Sequence, residues 1–119
     1  MRKMFTIRAV LASIFVAAGL GFLPAAAHPS VDVVASNWKF APATIELHVG
    51  QTTTLRLTSS EGVHGLKSDE LGIPQTTIMP GSWATVQVTP AKAGTYILHC
   101  TIVCGAGHPN MALTVHVVP

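Results

Sequence analysis

Two thiols, an imidazole and a thioether fall within the twelve residues Cys100-Thr101-Ile102-Val103-Cys104-Gly105-Ala106-Gly107-His108-Pro109-Asn110-Met111, and the chain has no other cysteine. Any fold of this chain has to turn that segment around a common centre if the four side chains are to act together. Thiolate and thioether sulfur favour copper over hard, oxygen-loving ions, and imidazole suits copper as well, so the set points to a copper site. Three residues separate Cys100 from Cys104, and three more separate Cys104 from His108, which suits a folded-back loop. Gly105 and Gly107 allow positive φ and close backbone approach there, and Pro109 stiffens the exit. His64, in Ser60-Glu61-Gly62-Val63-His64-Gly65-Leu66, is the upstream candidate to complete the site.

The chain opens with Arg2, Lys3 and Arg8, then an apolar run from Ala9 to Leu23 broken only by Ser13 and glycines, then Pro24-Ala25-Ala26-Ala27. Residues 1–27 read as a secretory signal peptide cleaved after Ala27, whereas a spanning helix would want about 20 apolar residues. An uncleaved membrane anchor is the alternative. The formal net charge of +2 belongs largely to that segment. Residues 28–119 carry Lys39, Arg56, Lys67 and Lys92 against Asp32, Glu46, Glu61, Asp69 and Glu70, four basic groups against five acidic ones and a net of minus one. This excludes nucleic acid as a partner, since that would need a basic patch on the folded domain. The expected location is periplasmic or secreted.

Residues 28–119 suffice for one small domain with one core. Helical periodicity is absent from them. β-Branched and aromatic runs recur instead at Val31 to Phe40, Thr44 to Val49, Thr52 to Thr58, Thr77 to Met79, Ser82 to Thr89, Thr95 to Cys100 and Met111 to Val118. Turn chemistry at Val49-Gly50-Gln51, Met79-Pro80-Gly81 and Ala93-Gly94 separates several of them. Alternation in Thr52 to Thr58 and in Trp83 to Val88 predicts strands with one buried face. The class is all-β, a Greek-key β-sandwich. Glu61 to Gln75 and Thr101 to Asn110 are expected to be irregular, and they hold His64 and the cysteine cluster, as functional residues on the loops of a rigid scaffold would.

A single type 1 copper takes one thiolate, two imidazoles and a weak axial ligand, so this set has one thiolate too many. Two copper ions use every soft group once: Cys100 and Cys104 bridge, His64 and His108 are terminal, Met111 is a weak ligand to one ion, and a backbone carbonyl of the cysteine loop serves the other. Three alternatives stay open. A disulfide between Cys100 and Cys104 suits an oxidising compartment, but leaves the histidines, Met111 and the glycines without a role. Zinc in a Cys₂His₂ site leaves Met111 unused. A mononuclear copper site would use one cysteine.

The run Cys-x-x-x-Cys-Gly-x-Gly-His-x-x-Met, with Val63-His64-Gly65 upstream, closely resembles the binuclear CuA domain of cytochrome c oxidase subunit II, with a related site in nitrous oxide reductase. Asn37-Trp38-Lys39-Phe40 with Pro42, Ile45 to Gly50, Met79-Pro80-Gly81 and Gly94-Thr95-Tyr96 extend the resemblance over nearly all of residues 28–119. It implies a cupredoxin-like fold and an electron-transfer site. It further implies His64, Cys100, Cys104, His108 and Met111 as side-chain ligands and the Ile102 carbonyl as the sixth. Subunit II usually has glutamate at the position of Ile102, where the side chain also serves a magnesium site. That second role is lost here, while a main-chain ligand is kept. The helical hairpin that anchors subunit II is also missing, so the chain resembles a free-standing CuA domain.

The other candidates fall to plainer roles. His48 and His116 read as exposed strand residues, and His99 points away from the face that holds Cys100. His28 would become the first residue after cleavage, where amine and imidazole can chelate copper, but no second histidine is evidently placed to join it. Trp38, Phe40 and Trp83 read as core aromatics, and Met79 as loop packing. The chain therefore reads as an electron carrier working with a redox protein such as a c-type cytochrome or terminal oxidase. The rival is a copper chaperone, buffer or tolerance protein that hands copper to an acceptor. No ligand position stands open for substrate and no Ser/His/Asp set is present, which argues against an enzyme.

Overall fold

The computed structural model describes residues 28–119; the expected signal peptide and its cleavage point lie outside the described residues. Nine strands run through them: β1 (Ser30–Ser36), β2 (Lys39–Ala41), β3 (Thr44–His48), β4 (Thr53–Ser59), β5 (His64–Ser68), β6 (Ile73–Ile78), β7 (Ala84–Val88), β8 (Gly94–His99) and β9 (Ala112–Val118), with a 3₁₀ turn at His108–Asn110. Among the described residues no helix is long and apolar enough to cross a membrane.

The strands form a four-stranded sheet in the order β2-β1-β4-β7, a three-stranded sheet in the order β3-β9-β8, and a β5-β6 pair. Consecutive strands pair antiparallel at β1-β2, β5-β6 and β8-β9, but two pairings are parallel, β1 with β4 and β3 with β9, and these need the chain to cross between sheets. Parallel register sets Val33 beside Leu57 in one sheet, and Ile45 beside Val115 and Leu47 beside Val117 in the other. All six are buried. Together with Leu55, Val88, Leu98 and Leu113 they form one core between the sheets. Each such side chain removed from water stabilises the fold by about 2 kcal/mol before the entropy of ordering is counted. Burial alternates strictly along β4, with Thr53, Leu55, Leu57 and Ser59 inward, as its sequence predicts.

Three expectations need correction. The run from Val31 to Phe40 is not one strand: the chain reverses at Asn37-Trp38, and β2 folds back on β1 with Ala35 opposite Phe40. The stretch Glu61 to Gln75 is not irregular either. It contains β5 and the start of β6, because Leu66 and Ile73 are buried in the core and Gly72, at φ +68°, makes the reversal between them. Finally, Phe40 is a core aromatic but Trp38 and Trp83 are not, being 41% and 46% exposed. Trp83 instead lies under the Arg56 guanidinium, 4.4 Å from its ring centroid, and Arg56 also pairs with Asp32 at 3.2 Å.

Candidate metal centre

The cysteine loop is irregular as expected, and its ends are tied by the sheet. His99 pairs with Ala112 across β8 and β9, and one step beyond, the Cys100 amide donates to the Met111 carbonyl at 3.1 Å. The ten residues between are folded by backbone hydrogen bonds in which the amides of His108, Asn110 and Met111 donate to the carbonyls of Gly105, Gly107 and His108, each 3.1 or 3.2 Å. The loop is then laid against β5, where the Thr101 amide donates to the Gly65 carbonyl at 3.1 Å. His64 is the first residue of β5 and its ring is fully buried, so a strand presents this side chain and not the loop foreseen from the sequence.

The predicted site residues converge. The Cys100 and Cys104 sulfurs stand 3.7 Å apart, against about 2.05 Å in a disulfide, and both are free thiols. His64 Nδ1 faces Cys100 Sγ at 3.9 Å, and His108 Nδ1 faces Cys104 Sγ at 3.5 Å. Met111 Sδ is 3.8 Å from Cys104 Sγ and fully buried, and the Ile102 carbonyl is 3.3 Å from Cys100 Sγ. Among the described residues one group of three or more potential ligands closes to within 4.8 Å, namely His64, Cys100 and Cys104. His48, His99 and His116 are exposed and stay outside it, as expected.

These separations fit a metal. With bonds of about 2.3 Å to thiolate and about 2.0 Å to imidazole, as in zinc sites, one ion can touch both sulfurs, or a sulfur and its facing imidazole. Soft thiolate and thioether donors beside imidazole select copper among the common ions.

The second layer was harder to read from sequence. The Glu61 carbonyl accepts from His64 Nε2 at 2.7 Å; a carbonyl can only accept, so the proton sits on Nε2 and the Nδ1 lone pair is free toward the thiols. Trp38 Nε1 donates to the Cys104 carbonyl at 2.9 Å. The indole covers both loop glycines: a Cβ on Gly107 would lie 2.5 Å from Trp38 Cγ, and one on Gly105 would lie 2.9 Å from its Nε1. Only Gly105, at φ +121°, uses the conformational freedom expected of the pair. Gly107 is there for space. The glycines signal that something approaches closely, but not that Trp38 does.

Partial burial raises the pKa of the Cys104 thiol, and the neighbouring Cys100 adds to the shift through a hydrogen bond and its charge, against a lowering backbone bond. In the metal-free protein Cys104 is therefore expected to be alkylated more slowly at neutral pH than an unperturbed thiol. Because the folded pKa lies above the unfolded one, the stability this thiol contributes is present at neutral pH and lost as pH rises through its titration. Alkylation rates and melting curves from about pH 7 to about pH 10, a range that brackets the ordinary thiol pKa, would check this; alkylation as fast as in an unfolded peptide would refute it.

A family model of the cupredoxin-like domain matches residues 5–115. Cytochrome c oxidase subunit 2 of Thermus thermophilus is 32% identical over 86 residues, which is 72% of this chain and 63% of that protein. The chain thus spans less than two thirds of the length of that relative. The periplasmic domain of subunit II of cytochrome oxidase (CoxB) of Bradyrhizobium japonicum superposes with a TM-score of 0.68 at 15% identity, covering 76% of this chain and 83% of that one. Auracyanin A, a blue copper protein of Chloroflexus aurantiacus, superposes with a TM-score of 0.58 at 16% identity, covering 77% of this chain and 100% of the other. At those identities the two structures share the fold. With sheets, loop and buried histidine arranged as described, the chain belongs to the cupredoxin-like domain family.

Proposed function

We propose that the domain is an exported electron-transfer module holding a pair of copper ions, with Cys100 and Cys104 bridging, His64 and His108 terminal, and Met111 and the Ile102 carbonyl as weak ligands. The observation that carries this is the division of the imidazoles: His64 faces Cys100 and His108 faces Cys104, across two unbonded sulfurs. A mononuclear site would call both rings to one thiolate. The likeness to oxidase subunit 2 supports the same reading. When bound, copper supplies a one-electron couple. The chain holds the donors from strand β5 and from the hydrogen-bonded loop between β8 and β9, and it keeps water from the His64 and Met111 side.

The His108 side is the more open one. Cys104 and His108 are half-buried, Ala106 and Pro109 are exposed, and Val103 is 83% exposed. With the edge of Trp38 they make a low-charge surface for the small, transient encounters typical of redox partners. The partner proposed is a haem protein such as a c-type cytochrome or a terminal oxidase. Residues 28–119 are proposed as the mature domain, released to the periplasm or beyond after cleavage at Ala27.

Copper loading should give two ions per chain, and electron paramagnetic resonance should show one unpaired electron spread over two copper nuclei. Copper should also stay bound through repeated reduction and oxidation with a moderate cuprous chelator present, because thiolate and imidazole donors suit both oxidation states. A spectrum from a single copper nucleus would overturn the two-ion reading. Loss of copper on each reduction, or its transfer to a metal-free acceptor, would favour copper delivery.

A further inference from the structure

Ser59 is the last residue of β4 and its side chain points inward, 6% exposed, at the end of the apolar series Leu55 and Leu57. Sequence alternation accounts for an inward residue there, but not for a hydroxyl. Its Oγ accepts from the Glu61 amide at 3.1 Å, and lies 2.6 Å from the Gly62 carbonyl and 2.9 Å from the Glu61 carbonyl, between which its single proton is shared. The Glu61 carbonyl is the same group that accepts from His64 Nε2. Ser59 is itself fixed by the sheet, in register with Ala35 of β1 and bridged to Pro80, while the next amide, Ser60, donates to the Ala35 carbonyl at 2.9 Å.

We infer that Ser59 is a positioning residue for His64. It holds the turn of residues 59–64, closed by Gly62 at φ +77°, so that the Glu61 carbonyl fixes both the tautomer and the direction of the His64 ring. The path runs from the core sheet to the ring: β4 backbone, Ser59 Oγ, Glu61 carbonyl, His64 Nε2–H, with Nδ1 left facing Cys100. Gly62 adds a steric reason for the same turn. A Cβ there would lie 2.8 Å from Asn37 Oδ1 and 3.2 Å from His64 Nε2. Among the described residues nothing comparable reaches His108, so the device acts on one imidazole of the two. It deepens the copper reading above and rests on it for its functional meaning, but the hydrogen bonds exist in the metal-free chain and can be tested there.

The measurement is solvent exchange of the His64 Nε2 proton by nuclear magnetic resonance, in metal-free and copper-loaded protein. In Ser59→Ala this exchange should quicken roughly five- to tenfold, the factor that one lost hydrogen bond of ordinary strength allows. The His108 signals should stay in place, and in the loaded protein only the His64 resonances should shift. Ser59→Thr keeps the hydroxyl and should restore slow exchange, which a purely space-filling role would not achieve. If Ser59→Ala does not fold, Ser59→Cys replaces it as the variant with a weaker donor and should show intermediate exchange. Unchanged exchange in the alanine variant, or equal loss in alanine and threonine variants, would overturn the assignment. A mononuclear copper spectrum in the unsubstituted protein would overturn the two-ion reading and leave the metal-free result to decide Ser59 on its own.

Discussion

Cys104→Ser is expected to abolish the two-copper spectrum, leaving at most one ion, while Ile102→Ser leaves it nearly intact. The asymmetry follows from what each residue contributes. Cys104 Sγ is the hub of the loop side of the site, 3.7 Å from Cys100 Sγ, 3.5 Å from His108 Nδ1 and 3.8 Å from Met111 Sδ. A serine hydroxyl is a hard, weakly acidic donor that does not replace a thiolate toward copper. Ile102 offers only its carbonyl, 3.3 Å from Cys100 Sγ, and any residue has a carbonyl. Copper per chain and the resonance spectrum of the two variants, taken side by side, check this. Equal loss in both would show the ligand assignment in this loop to be wrong.

Gly65→Val should be nearly as damaging although it removes no donor. Gly65 sits on β5 directly after His64, and the cysteine loop rests on its backbone through the Thr101 amide. A Cβ there would overlap Thr101 Oγ1 and come to 2.9 Å from Ile102 Cγ1 and 3.0 Å from Gln75 Nε2. Thr101 Oγ1 cannot turn away cheaply, because Gln75 Nε2 donates to it at 2.8 Å. The loop must lift from the strand that carries His64, which separates the two halves of the site. Forcing methyl groups into a filled contact costs about 1–3 kcal/mol, so the melting temperature should fall by several degrees, about 4 °C or more for a domain of this size. Copper should bind more weakly, with an altered spectrum. Gly65→Ala with Thr101→Ala, which removes the nearest obstacle, should recover most of both losses. A Gly65→Val protein with unchanged melting and unchanged copper spectrum would show that the loop does not depend on this contact.

What the chain encodes locally was legible as sequence. Donor chemistry depends on residue type alone, so Cys100, Cys104, His108 and Met111 mark a candidate soft-metal site before any fold is known, and their spacing announces a loop. Alternation over β4 depends only on the two-residue period of a strand, and its buried series ends where the pattern does. The exposed positions of His48, His99 and His116 follow from the same period. Tertiary structure decided everything that joins distant segments. His64 lies 36 residues before Cys100 and reaches it only because β5, itself missed between glycines and charges, is laid beside the loop that follows β8. That placement rests on two parallel strand pairings and on crossings between sheets, whose partners lie too far apart in the chain for any local period to record. The facing of each imidazole toward its own thiol, the indole of Trp38 over Gly105 and Gly107, and the Ser59 hydroxyl behind the Glu61 carbonyl are of that kind. Each depends on the packing of surfaces that exist only once the sandwich has closed.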